Sequence, residues 1–137
     1  MVAEESQPGL RVSHDLAGPA VVITVAGEID LATVTALRTG LGTALRLAAA
    51  PAPVVLDLTG VEFLGSAGLA AIAEASQQAT AQRIPLRVVA TSHTVLRPIE
   101  VTGLGSALTL CASVSDALEA TETTETTEGG NGSQAAC

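Results

Sequence analysis

The sequence contains no lysine. Its six basic residues are all arginine, and together with 14 acidic residues they leave a formal net charge of −8 over 137 residues. Without lysine the chain cannot form a Walker-type phosphate loop, a Schiff base or a lysine general base. The acidic balance also argues against nucleic-acid binding, because phosphate contacts require a basic surface. The charge pattern therefore predicts no direct contact with nucleic acid.

Aromatic residues are almost as scarce: Phe63 stands alone, without any Trp or Tyr. This removes the stacking surfaces on which single-stranded nucleic acids bind. Hydrophobic residues nevertheless make up 47% of the chain, so a core of Val, Leu, Ile and Ala is expected. The two cysteines, Cys111 and Cys137, do not have the spacing of a metal site. We predict no metal and no cofactor.

Long hydrophobic runs are also missing. No stretch reaches the roughly 18 apolar residues that a membrane-spanning helix needs. The first eight residues are acidic and polar, unlike a signal peptide. The sequence therefore predicts a cytoplasmic protein that does not insert into a membrane.

The length and the change of composition along the chain predict one domain. Residues 9–120 carry the regular apolar patterns, and residues 1–8 are expected to be a flexible N-terminus. Residues 121–137 begin with a Thr-Glu repeat and continue with glycine and small polar residues. Such an acidic segment cannot bury enough surface to offset its ordering entropy, so a disordered tail is predicted.

Within the domain, short β-branched runs alternate with stretches of helical period. The predicted strands are 10–16, 20–27, 54–58, 84–90 and 107–111, and the predicted helices follow residue 30, residue 65, residue 91 and residue 112. Asp30 is a candidate cap for the first helix, with Leu31 on its apolar face. This order predicts an α/β fold with an initial antiparallel hairpin, then parallel strands, and about four helices mainly on one face.

One stretch stands out, because Gly65-Ser66-Ala67-Gly68 joins a buried strand to a helix and carries one functional group. The hydroxyl of Ser66 could simply cap the helix. Its small neighbours, however, predict clearance for a partner, and Gly68 predicts the close approach of another backbone. The site also lies at the carboxyl end of a strand, where α/β sheets usually present function.

A free hydroxyl in this position could be a nucleophile or a phosphoacceptor. A nucleophile needs a nearby base, and the chain has only His14 and His93 and lacks the Gly-x-Ser-x-Gly elbow. We therefore assign no catalytic residue and predict that the protein is not an enzyme. A phosphate on Ser66 would add about two negative charges at a helix N-terminus, where the dipole and free N–H groups favour an anion.

Two segments together resemble a known family. Residues 27–32, Gly-Glu-Ile-Asp-Leu-Ala, and residues 57–69, Asp-Leu-Thr-Gly-Val-Glu-Phe-Leu-Gly-Ser-Ala-Gly-Leu, are similar to the paired motifs of STAS domains. Among these domains the chain most resembles the bacterial anti-sigma factor antagonists. The resemblance runs in order and spacing from about residue 10 to residue 119, and therefore implies a single STAS fold.

The resemblance also implies a function. In that family an anti-sigma factor, a serine kinase of the histidine-kinase-like ATPase class, phosphorylates a serine that matches Ser66. The unphosphorylated antagonist binds the anti-sigma factor and frees the sigma factor; phosphorylation breaks the complex, and a PP2C-type phosphatase restores it. The partner-binding residues implied by the motifs are Glu28, Asp30, Thr33, Gly65, Ser66, Ala67, Gly68 and Leu69.

Several alternatives stay open at this point. Glu28 could be a solvated surface acid, and Asp30 a plain helix cap. Family members often carry an acidic residue directly before the phosphoserine, whereas this chain has Gly65. The competing interpretation is a STAS scaffold without a switch, which would bind a different partner such as a regulatory assembly or a transporter ATPase.

Overall fold

The computed structural model describes residues 3–119, and of residues 3–6 the backbone alone. The predicted tail at 121–137 lies outside the described residues. The elements, in chain order, are β1 (Ala3–Gln7), β2 (Leu10–Ala17), β3 (Ala20–Ile29), α1 (Val34–Leu47), β4 (Val54–Leu64), α2 (Ser66–Ala81), β5 (Leu86–Val89), α3 (His93–Val101), a 3-10 turn (Leu104–Ser106), β6 (Thr109–Cys111) and α4 (Val114–Glu119).

The six strands form one sheet in the order of the chain, β1-β2-β3-β4-β5-β6. β2 and β3 form the predicted antiparallel hairpin, and β3 to β6 run parallel to one another. The predicted mixed α/β sheet is therefore confirmed. Ala17 and Ala20 pair at the end of the hairpin and are joined by a two-residue turn, Gly18-Pro19. Gly18 has a φ of 61°, a value that suits glycine.

β1 is a strand where a flexible N-terminus was predicted. Residues 3–7 pair antiparallel with β2, from Ala3 opposite His14 to Gln7 opposite Leu10. Their sequence, Ala-Glu-Glu-Ser-Gln, has no apolar alternation. An edge strand can be held by backbone hydrogen bonds to one neighbour, so it needs no such alternation.

The core lies on both faces of the sheet, with the larger part on one. Along β3, Val21 and Ile23 belong to the large cluster, whereas Val22 belongs to a smaller cluster on the opposite face. Helices α1, α2 and α3 contribute buried residues to the large cluster, and α4 contributes Ala117 to the small one. Three of the four described helices thus cover one face, as predicted.

β4 is the longest strand, and it is irregular. Its register with β3 shifts twice, between Thr24 and Ala26 and between Gly27 and Glu28, so that β4 contains two extra residues. Between buried Val61 and Leu64, the consecutive residues Glu62 and Phe63 are both exposed. A β-bulge has this effect, because it re-aims side chains that regular alternation would send to opposite faces. The bulges therefore place Phe63 on the surface.

Candidate functional site

β3 and β4 end side by side at the carboxyl edge of the sheet. Ile29 is the register partner of Leu64, and the N–H of Gly65 donates to the carbonyl oxygen of Ile29 at 2.9 Å. The chain leaves β3 toward α1 and leaves β4 into α2 from this point. The structure thus brings together the two segments that the sequence singled out, which lie about 30 positions apart.

The turn between β3 and α1 is held by its own side chains. Asp30 Oδ1 accepts hydrogen bonds from the N–H groups of Ala32 and Thr33, at 2.9 and 3.1 Å. Thr33 Oγ1 accepts from the N–H of Asp30 at 3.0 Å and donates to the carbonyl oxygen of Glu28 at 2.8 Å. Asp30 therefore stabilises the turn, while Glu28 is exposed.

This turn corrects the predicted start of the first helix. α1 begins at Val34, so Leu31 precedes the helix instead of lying on its apolar face. The Leu31 side chain is 80% exposed. The reason is the hydrogen bonding of Asp30 and Thr33, which occupies residues 30–33 with a turn and pushes Leu31 outward.

Ser66 is the first residue of α2, and its side chain is exposed. Gly65 occupies the N-cap position, so the open alternative of a serine cap is wrong. Within residues 3–119 the Ser66 hydroxyl has no hydrogen-bond partner, and the first turn of α2 holds no acidic residue. The first N–H groups of a helix have no acceptor inside the helix. The hydroxyl therefore stands free beside unfilled donors.

Gly68 is small for a different reason than predicted. A Cβ at this position would lie 2.4 Å from Ile29 Cγ2 and 2.7 Å from Leu64 Cδ1. The close neighbours are side chains of the domain's own core, so the expected approach of another backbone is wrong here. Gly68, Leu69 and Thr33 are all buried. These three residues support the surface from below instead of displaying side chains on it.

Sequence reasoning missed two exposed apolar side chains of these two segments. Leu31 follows β3, and Phe63, 49% exposed, lies three residues before Ser66. Phe63 is the register partner of Glu28 across the two strands. The two shifts of register between β3 and β4 could not be predicted from the sequence, because the apolar run of β4 ends at Leu58 and the residues after it have no regular alternation. We name four exposed residues near the ends of β3 and β4 the strand-end face: Glu28, Leu31, Phe63 and Ser66.

The histidines lie elsewhere. His14 is buried in β2, with Nε2 2.8 Å from the carbonyl oxygen of Gly40 in α1, and His93 begins α3. Among residues 3–119 no group of three or more His, Cys, Asp and Glu side chains could hold a metal ion. In the same part of the chain no helix is long and apolar enough to cross a membrane.

The fold and the strand-end face define a small α/β domain that presents an exposed serine at a helix start. Comparison with known proteins identifies its class. Residues 11–117 match the family model of the STAS domain. The chain therefore belongs to the STAS domain family, and within it to the anti-sigma factor antagonists.

Three relatives illustrate the likeness. Anti-sigma-F factor antagonist RsfB of Mycobacterium tuberculosis is 39% identical over 97 residues, which cover 71% of this chain and 77% of the relative. Anti-sigma-F factor antagonist RsfA of the same species is 30% identical over 101 residues, 74% of this chain and 79% of the relative. The crystal structure of an anti-sigma factor antagonist from Mycobacterium paratuberculosis superposes with a TM-score of 0.73 at 32% identity, covering 82% and 94% of the two chains.

Proposed function

We propose that the protein binds a kinase-type anti-sigma factor through the strand-end face and releases it when Ser66 is phosphorylated, thereby regulating sigma-factor-dependent transcription. One observation carries the proposal: the Ser66 hydroxyl is exposed and unbonded within residues 3–119, at the first position of α2. The names of the relatives supply the class of partner, since they are antagonists of anti-sigma factors.

The local electrostatics suit a phosphate at this position. The N-terminus of a helix attracts an anion through its dipole and its free N–H groups. No acidic side chain of the first turn of α2 competes for these donors, and Gly65 supplies no capping side chain. The domain would therefore accept phosphorylated Ser66 without rearranging its core.

The same phosphate would weaken a complex. It adds about 1.5 to 2 negative charges at the centre of a contact surface that already carries Glu28. A partner that covers the face would have to desolvate this charge, which costs several kcal/mol unless new basic contacts offset it. Phosphorylation thus changes the surface and leaves the fold intact, which is what a reversible binding switch requires.

The cycle needs an enzyme that removes the phosphate, and we place a PP2C-type phosphatase in that role. Because sigma factors act on RNA polymerase, we place the whole cycle in the cytoplasm. The antagonist itself then contributes a recognition surface and a hydroxyl, and the partner contributes ATP and the catalytic groups.

The test uses the full chain with the kinase-type anti-sigma factors encoded in the genome of the source organism, each with ATP and magnesium. Mass spectrometry should locate one phosphate on Ser66, and none on the Ser66→Ala variant. Ser115→Ala is the matched control, because Ser115 is also exposed in the first turn of a helix, on the opposite face of the sheet. It should be phosphorylated like the wild type.

Two results would contradict the proposal. Phosphate that persists in Ser66→Ala would place the switch elsewhere. A complex that persists in the presence of ATP and magnesium while Ser66 stays unphosphorylated would support the scaffold interpretation instead, in which the fold has kept its contact surface without the switch.

A further inference from the structure

We infer that the Phe63 ring is the side chain by which the kinase partner recognises the phosphoacceptor segment, and that Gly65 keeps the ring in place. The inference rests on the proposed function and names a residue that was not among the predicted partner-binding residues. It also accounts for the glycine that precedes Ser66.

Exposure alone would not single out Phe63, since isolated apolar side chains are common on protein surfaces. Its placement does. The second bulge of β4 turns Phe63 outward, together with Glu62, while Val61 and Leu64 on either side stay buried. The ring is thereby presented at the edge of the sheet where α2 begins.

One edge of the ring lies beside Gly65. A Cβ built on Gly65 would approach Phe63 Cε2 to 3.1 Å and Cζ to 3.5 Å, with the carbonyl oxygen of Ile29 at 3.4 Å. The backbone of Gly65, at φ −91° and ψ 179°, is ordinary extended chain that any residue could adopt. Glycine is therefore not required by the backbone, and the tightest neighbour of an added side chain is the aromatic ring.

The position of the Phe63 ring indicates that the kinase is the partner that contacts it. An enzyme that brings the γ-phosphate of ATP to Ser66 Oγ must enclose the residues that immediately precede Ser66, and one edge of the ring lies beside Gly65. Glu28, the register partner of Phe63, and Glu62, its chain neighbour, are both exposed. The complementary surface on the kinase is an apolar recess flanked by arginine or lysine.

The first measurement is steady-state phosphorylation of the full chain by the anti-sigma factor that modifies wild-type Ser66. Phe63→Ala should raise KM about tenfold and leave kcat nearly unchanged, because the ring contributes to binding before and during the reaction alike. Phe63→Leu, which keeps part of the apolar surface, should lie in between. Leu16→Ala is the matched control: Leu16 is also 49% exposed, but it lies in β2 opposite Val21, near the beginning of β3 and far from its carboxyl end. The KM of this variant should equal that of the wild type.

The second measurement tests the role of Gly65. Gly65→Ala should displace the ring by a few tenths of an ångström and raise KM several-fold. In the Phe63→Ala background the same change should have almost no further effect, since the ring it would displace is gone. A double-mutant cycle therefore shows coupling between the two positions.

The outcomes separate the two proposals. If wild-type Ser66 is phosphorylated and KM is the same for Phe63→Ala and wild type, Phe63 is not the recognition residue while the proposed function stands. Additive effects of Phe63→Ala and Gly65→Ala would overturn the role of Gly65. If no kinase-type anti-sigma factor of the source organism binds or phosphorylates the wild type, the proposed function fails and this inference fails with it. Thermal unfolding of each variant confirms that the compared proteins are folded.

Discussion

A turn filled by its own side chains leads into α1, whereas a bare glycine leads into α2, although both helices begin at the same edge of the sheet. Asp30 and Thr33 supply four hydrogen bonds around the first of these entrances, between 2.8 and 3.1 Å. At the second, Gly65 contributes its backbone alone and the Ser66 hydroxyl stays unbonded within the described chain. At the start of α1 the side chains of Asp30 and Thr33 satisfy backbone groups of the turn. At the start of α2 the first backbone N–H groups remain available to solvent or to an added anion.

The difference also lies beneath the surface. Thr33 is 4% exposed and binds through its hydroxyl, whereas Gly68 is buried because the space above it is filled by Ile29 and Leu64. The first entrance thus depends on polar contacts and the second on packing. Three substitutions test this difference between the starts of α1 and α2. Their expected effects on the free energy of unfolding differ in size.

The largest effect is expected from Gly68→Val. The added side chain would overlap Ile29 and Leu64, whose atoms already lie 2.4 and 2.7 Å from a Cβ at this position. Overpacking of a core costs roughly 1–3 kcal/mol, and the branched side chain places this change at the upper end, about 3 kcal/mol. Urea unfolding should show a lower midpoint with an unchanged slope.

Gly42→Val is the matched control for this change. Gly42 also lies inside a helix, α1, but a Cβ there meets only the end of the flexible Arg46 side chain, at 3.7 Å. Its free energy of unfolding should stay within about 0.5 kcal/mol of wild type. Equal losses at both positions would show that a β-branched side chain is unfavourable at either helix position, and that packing against Ile29 does not explain Gly68.

A smaller effect is expected from Thr33→Val, which keeps the shape and removes the hydroxyl. The N–H of Asp30 and the carbonyl oxygen of Glu28 would each lose a partner, so the free energy of unfolding should fall by about 1–2 kcal/mol. Thr35→Val, at an exposed position two residues further on in the first turn of α1, should change it by less than about 0.5 kcal/mol. A neutral Thr33→Val would mean that solvent replaces the hydroxyl and that the turn is not built as described.

The smallest effect on stability is expected from Ser66→Glu. The helix dipole favours the new carboxylate by about 0.5 kcal/mol at low salt, so the protein should be as stable as wild type or slightly more so. Affinity for the anti-sigma factor, measured by titration calorimetry, should nevertheless fall. Ser115→Glu places the same charge in the first turn of α4 and should leave the affinity unchanged. A loss of stability above about 1 kcal/mol for Ser66→Glu alone would show that the hydroxyl has a structural role.

The fold was predictable because its elements are locally consistent. The β-branched run at residues 20–27 predicts a strand, and the apolar spacing after residue 65 predicts a helix. The structure has β3 and α2 at these places, in one sheet with its helices. β1 was not predictable in this way, since an edge strand of Glu, Ser and Gln depends on backbone pairing to β2. What stabilises β1 is the backbone of β2, and the side chains of β1 itself do not predict a strand.

The candidate site was predictable in part. Ser66, Glu28 and Asp30 could be placed from the motifs, but the outward turn of Leu31 and Phe63 could not. Both depend on hydrogen bonds and register shifts that have no apolar period. The burial of Gly68 likewise depends on a contact with Ile29, which lies 39 positions earlier in the sequence.

Ile29 joins the two entrances into one body. Its carbonyl oxygen accepts the N–H of Gly65 at 2.9 Å, and its side chain fills the space above Gly68. Segments connected in this way lose little conformational entropy when a partner binds. The affinity then depends on the contacts made and not on the cost of ordering loops. A preorganised surface of this kind responds to a single added charge directly, without waiting for a change of shape.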